Sequence, residues 1–124
     1  EGGLRCANPP YKNGNSPVPA NVPGIAAEHL TAGLGHICAI LVDGPVACWG
    51  LGDAGQIGDG QSISRNTPTV LHGVMGATSI AAGGAQVCVL AQSGAACWGE
   101  DAFGQLADGT SDWLTVRTVA LPCQ

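Results

Sequence analysis

The feature that most constrains this chain is that it repeats itself at a spacing of about fifty residues, the period of propellers and related arrays. Three short segments recur, Asn13-Gly14-Asn15-Ser16, Asp59-Gly60-Gln61-Ser62 and Asp108-Gly109-Thr110-Ser111. Each precedes a β-prone stretch that ends alike, VPG at 22–24, LHG at 71–73 and LPC at 121–123. After the first two come apolar segments with small-residue ends, LTAGLGHIC at 30–38 and IAAGGAQVC at 80–88. Two hairpin candidates follow, CAILVDGPVACWG at 38–50 and CVLAQSGAACWG at 88–99, each leading into a matching loop, GQIGDG at 55–60 and GQLADG at 104–109. Asp43-Gly44 and Ser93-Gly94 are turn signals between apolar runs. Glycine and proline interrupt every helical period, so the expected fold is all-β.

The expected organisation is an extended N-terminal arm over 1–17, a first repeat over 18–66, a second over 67–114, and over 115–124 the opening strand of a third repeat. Each repeat is a propeller-blade-like antiparallel sheet. The positions that recur with the repeat are Trp49 and Trp98, Gly55 and Gly104, Gln56 and Gln105, Asp59 and Asp108. Packing is the expected role of the tryptophans, and turn formation that of the aspartates, which bond their own backbone.

The pattern of an AAG-like strand end, a histidine or Gln-Val before cysteine, an apolar strand, an Asp/Ser-Gly turn, CWG, GQ-Ile/Leu and DG-Ser/Thr resembles the regulator of chromosome condensation repeat family, in its cysteine-bearing bacterial version. The resemblance runs over about residues 13–123 and implies β-propeller architecture, commonly of seven four-stranded blades. It implies protein-binding loops on a scaffold rather than one chemistry. Two blades cannot close such a ring. Open blades leave strand edges and apolar faces uncovered, so either the sequence is part of a longer chain or identical chains supply the neighbours.

Six cysteines in a short chain point to a disulfide framework and an oxidising compartment. Cys38 and Cys48 flank one turn and Cys88 and Cys97 the other, placing each pair across adjacent strands within bridging distance. Cys6 and Cys123 are left to join the ends, within one chain or between two. The absence of any CxxC spacing argues against zinc. The Asp-rich loops lack the spacing of a calcium loop. His36 becomes Gln86 in the second repeat, which suits a structural residue and not a base or ligand. No nucleophile motif or nucleotide fingerprint occurs, so neither an enzyme nor a cofactor is expected.

Charged residues make up only 10 % of the chain, with one lysine, three arginines and a net charge of −5. Clustered cations for phosphate are lacking, so nucleic acid is excluded as an expected partner. No apolar run is long enough for a membrane-spanning helix, and no membrane insertion is expected. A start at Glu1 without a leader fits either a mature form whose signal has been removed or a trimmed chain, and a secreted or cell-surface location is expected. The sparse charge gives little resistance to self-association.

These features lead to an expected non-enzymatic structural subunit. It assembles head-to-tail, as an extracellular filament or a ring, by adding its terminal strand to a neighbouring chain. Trp113, Val116, Val119 and Leu121 are the expected contact residues, with Cys6 and Cys123 as cross-links. The alternative is a protein-binding module within a larger secreted β-propeller, whose partner is another protein.

Overall fold

A computed structural model of the chain describes the backbone of residues 3–6, 20–92, 94–100 and 117–119, and the side chains of 21–92 and 94–100. No described residue is helical. The strands are β1 (Gly3–Cys6), β2 (Ala20–Ala32), β3 (His36–Leu41), β4 (Val46–Gly50), β5 (Arg65–Leu71), β6 (Ala77–Gly83), β7 (Gln86–Ala91), β8 (Gly94–Gly99) and β9 (Arg117–Val119). They form two antiparallel sheets, β1-β2-β3-β4-β5 and β6-β7-β8-β9.

Both expected hairpins are present. In the first, Gly44 takes a φ of 109° and its N–H donates to the Leu41 carbonyl, so the turn uses the conformation that favours glycine. The register places Cys38 opposite Cys48 and Cys88 opposite Cys97. Both pairs are disulfide-bonded, each with Cα atoms 4.1 Å apart.

The strand pairing is offset from the sequence repeat. The stretch expected to open the second repeat is β5, which pairs with β4 through Val46↔Leu71 and Cys48↔Thr69 and so closes the first sheet. The segment expected to open a third repeat contains β9, which pairs with β8 through Ala95↔Val119 and closes the second. The reason is the same in both. The return strand of each hairpin has a free edge whose N–H and C=O groups need partners, and the next stretch of chain supplies them. A blade therefore runs from the apolar AAG-type strand to the strand after the GQ loop.

The N-terminal region, expected as an extended arm, carries a strand of its own. β1 pairs with the first half of β2 through Gly3↔Ala26 and Cys6↔Ala20. This repeats the pairing of β4 with β5. Ala20 and Thr69, opposite Cys6 and Cys48, each lie two residues ahead of a buried aliphatic, Val22 and Leu71. The second half of β2 then pairs with β3 as the inner strand of the first blade. The chain thus stacks a half-blade, a blade and a blade.

Alternation along the strands sorts side chains to two layers. Val22, Ala39 and Trp49 form one buried cluster, with Ile37 and Leu41 packed against it. The opposite face of the first blade (Cys38, Ile40, Val46 and Cys48) meets Val87, Val89 and Trp98 of the second, with Ile57, Leu71 and Val74 filling the rim. Trp49 and Trp98 are both fully buried. Burial of each side chain of this size contributes about 1.5–3 kcal/mol.

Candidate association surface

The contact between the two blades is a face-to-face apolar joint sealed by one loop. Gln56 and Ile57, in the loop after the first blade, are buried against the second. The Gln56 carbonyl accepts a hydrogen bond of 2.9 Å from Trp98 Nε1, across the joint. The loop is held by its own side chains. The Ala54 N–H donates to Gln56 Oε1 at 2.8 Å, the Gln61 N–H to Asp59 Oδ1 at 3.1 Å, and Arg65 Nε to Asp59 Oδ2 at 2.8 Å. Asp59 is therefore a turn-former and an ion-pair partner. Gly58 has a φ of +82°, and a Cβ there would lie 2.8 Å from Trp98 Nε1, so the close approach requires glycine.

The inner strands are also tied. The Ala82 N–H donates to Thr31 Oγ1 at 2.9 Å, and the Leu34 N–H to the Gly84 carbonyl at 2.8 Å. His36 sits near this junction, 1 % exposed. Burial lowers its pKa below the ordinary histidine range, opposed by the Gln86 backbone. Neither ring nitrogen makes a hydrogen bond of good geometry to a described residue. The repeat-mate Gln86 donates from Nε2 to the Glu100 carbonyl at 3.0 Å. Trp49 Nε1 is buried with no acceptor among the described residues, unlike that of Trp98.

The two blades differ in one respect. In the first, Cys38, Ile40 and Cys48 are 0 %, 2 % and 0 % exposed because the second blade covers them. Their repeat-mates on the outer face of the second blade are Cys88, Leu90 and Cys97. Cys88 is exposed and Leu90 is 48 % exposed. Ser79 and Ala81, opposite Leu90 and Cys88 on β6, extend this face and are exposed as well. The described side chains of this face, Ser79, Ala81, Cys88 and Leu90, carry no charge, Arg117 follows them in register opposite Cys97, and the corresponding face of the first blade is a buried joint.

Elsewhere, chemistry-bearing clusters are scarce. Among the described residues no three His, Cys, Asp or Glu side chains converge as metal ligands, and no helix is long and apolar enough to cross a membrane. A shallow open depression lined by Met75, Gly76, Thr78 and Gln92 holds no charged side chain. Of the expected contact residues, Trp113, Val116, Leu121 and Cys123 lie outside the described residues, as do the repeat positions Gly104, Gln105 and Asp108. Cys6 and Val119 are described only as strand positions. Gly55 takes a φ of 75° in its turn. Sequence reasoning expected an uncovered apolar face on open blades but did not name the residues of the second blade that form one. Leu90 and Cys88 look like their buried repeat-mates Ile40 and Cys38 in sequence, and only the structure separates them by exposure.

Comparison with known proteins agrees with this architecture. Residues 43–90 match the family model of the regulator of chromosome condensation (RCC1) repeat. The match starts in the first hairpin turn and ends in β7, so it spans the joint. The solved structure of Prp20p from Saccharomyces cerevisiae, which addresses its binding to Gsp1p and histones, has a TM-score of 0.78 at 23 % identity, over 98 % of this chain and 32 % of that one. Human WBSCR16 gives 0.75 at 22 % identity, over 86 % of this chain and 29 % of that one. Kap60 bound to yeast RCC1 (Prp20) gives 0.73 at 23 % identity, over 87 % and 26 %. The chain spans about a quarter to a third of the length of these structures. Residues 43–90 thus resemble the RCC1 repeat, and the chain has the fold of a segment of the β-propellers it is compared with.

Proposed function

We propose that this chain is a non-enzymatic association module, a set of propeller blades whose work is to bind protein, with further copies of itself as the partner. The observation that carries the reading is the uncovered face of the second blade, which repeats a face that is fully buried in the first. Exposed apolar surface of this kind marks protein interaction sites. Head-to-tail contact through one such face is heterologous, so it propagates as a filament or closes as a ring according to the rotation per subunit.

The two disulfides support an oxidising, extracellular setting for the assembly. In such a setting the thiols of Cys6 and Cys123 from neighbouring chains are oxidised together to a cross-link, their electrons passing to a disulfide-bearing oxidant. Strand exchange is compatible with the observed pairing of β8 with β9. A neighbour's residues 117–119 in the same register make the same ladder, as in domain swapping. Polymers measured by light scattering are then expected to disappear when residues 115–124 are removed, and polymers that survive the truncation would exclude the strand-exchange route.

A second reading is favoured by the share of known structures that the chain covers. The blades belong to a larger propeller, and its loops bind a different protein. RCC1 (Prp20) bound to Kap60 is an example of a structural relative engaging a protein. Under this reading the purified chain stays monomeric and captures one defined partner.

A further inference from the structure

We infer that His36 is an acid-sensitive latch between the two blades: its neutral ring closes the inner-strand end of their joint, and protonation opens that end while each blade keeps its fold. The latch concerns a joint inside the chain, so it stands whether the blades bind copies of themselves or another protein.

His36 opens β3, opposite Gly50 at the open end of the first hairpin, and it is buried. Its ring sits where the β2–β3 turn meets the β6–β7 turn of the second blade. A Cβ on Gly33 would strike the ring and would lie 2.6 Å from the Gly84 carbonyl oxygen. The imidazole edge, Gly33 and the second blade therefore come together at one point. Two hydrogen bonds tie the blades here, the Leu34 N–H to the Gly84 carbonyl at 2.8 Å and the Ala82 N–H to Thr31 Oγ1 at 2.9 Å. Farther along, apolar packing and the Trp98–Gln56 bond hold the joint.

A neutral imidazole suits this place and an imidazolium does not. Neither ring nitrogen makes a good hydrogen bond to a described residue, and the Gln86 backbone, which favours the charged ring, is outweighed by burial. No described carboxylate is placed to pair with it. Apart from His36 itself, β3, β4, β6, β7 and β8 carry no charged side chain, and neither does the turn at 33–35. β2 brings Glu28 and His29, both exposed. Asp43 lies in the turn at the far end of the hairpin. In the loop over 51–64, Asp59 is committed to Arg65, and Asp53 accepts from Gln56 Nε2 at 3.5 Å. Glu100 meets the junction through its backbone, its N–H on the Ala85 carbonyl and its own carbonyl on Gln86 Nε2. A proton added to the closed joint would thus be an unpaired buried charge, which is strongly unfavourable. Parting the two turns lets water reach the ring without breaking a blade, because each blade is laddered and stapled by its own disulfide.

The second blade has Gln86 at the matching place, and glutamine does not titrate. Its Nε2 is satisfied by the Glu100 carbonyl of the same blade at 3.0 Å. His36→Gln therefore removes the proton site with a side chain that the repeat already accommodates.

Hydrogen exchange of the full chain by nuclear magnetic resonance, between pH 7.5 and 5.5 and corrected for the intrinsic pH dependence of exchange, tests the latch. An opening that takes up one proton grows by up to about tenfold per pH unit below the open-state histidine value of about 6.5. Protection of the Leu34 and Ala82 N–H groups is expected to fall by up to about tenfold across this range. The Leu41 N–H, bonded to the Pro45 carbonyl within the first hairpin, and the Trp98 Nε1–H are expected to keep theirs. His36→Gln is expected to abolish the fall, and His29→Gln, at an exposed site on the neighbouring strand, to leave it unchanged. Circular dichroism of each variant shows whether the fold is kept. In the wild-type chain, the His36 ring is expected to titrate below the exposed His72. Constant protection at Leu34 and Ala82, or a fall that persists in folded His36→Gln, overturns the latch. A parallel loss at Leu41 signals unfolding of the blade and overturns it too, as does a His36 ring that titrates alongside His72. Equal loss at the Trp98 Nε1–H overturns the confinement of the opening to this end of the joint.

Discussion

The two tryptophans offer an internal control, because they share a repeat position and full burial, while only Trp98 donates a hydrogen bond to a described residue. Trp98→Phe removes the Nε1–H that donates 2.9 Å to the Gln56 carbonyl, and leaves that acceptor in a dry joint. Trp49→Phe removes an Nε1–H that has no acceptor among the described residues. Both substitutions shrink the side chain by the same atoms, so the transfer and cavity costs largely cancel in the comparison. What remains is the stranded carbonyl, worth about 1–3 kcal/mol for a buried polar group losing its partner. Trp98→Phe is therefore expected to destabilise the protein by about 1–3 kcal/mol more than Trp49→Phe. Urea unfolding followed by far-ultraviolet circular dichroism measures both without depending on indole emission. Equal losses in the two variants, or a larger loss for Trp49→Phe, would refute the idea that the Trp98–Gln56 bond locks the blades together.

Other parts of the structure give sharper local tests. Because burial depresses the His36 pKa, the unfolded chain binds a proton that the native state refuses, so stability is full above about pH 6.5 and falls as pH drops through that value toward the folded pKa. His36→Gln, the residue used at the second-repeat position, is expected to flatten that slope in urea midpoints between pH 7.5 and 5, and an unchanged slope would assign it to other groups. Cys88 is exposed while Cys38 and Cys48 are fully buried, so limiting reductant is expected to open Cys88–Cys97 first, as read by alkylation and peptide mass. The reverse order would contradict the uncovered second-blade face. Each bridge spans a short loop, with sequence separations of 10 and 9, and its removal is expected to cost about 2–3 kcal/mol. Gly50→Ala adds a Cβ at a φ of +101°, against the Gly35 carbonyl oxygen, and is expected to cost about 1–3 kcal/mol in thermal melts, whereas Gly73→Ala, with open space around it, is expected to be near neutral.

Much of this fold was legible because the repeat is written in residues with narrow conformational uses. Asp43-Gly44 marks a turn, and paired cysteines at matching hairpin ends fix a register. Trp49 and Trp98 recur where two sheets must pack. The blade boundary was not legible. The stretches around Thr69 and Thr118 look like openings because they precede the apolar strand in sequence, but hydrogen-bond demand at the edge of β4 and β8 binds them backward instead. The half-blade was hidden for a related reason. Its proline- and asparagine-rich context reads as an arm, and only the register of Cys6 against Ala20 shows that it copies Cys48 against Thr69. The candidate surface was least visible. Leu90 and Ile40 look alike in sequence, and what separates them, 48 % against 2 % exposure, is the presence of a neighbouring sheet.

The most direct test of the account is negative-stain electron microscopy of the native protein, with and without reductant. Filaments or rings built from a regular subunit repeat are the predicted result, with shortening on reduction if Cys6 and Cys123 link neighbouring chains. Dispersed single particles under both conditions would contradict self-association and leave the blades as part of a larger propeller with a different partner.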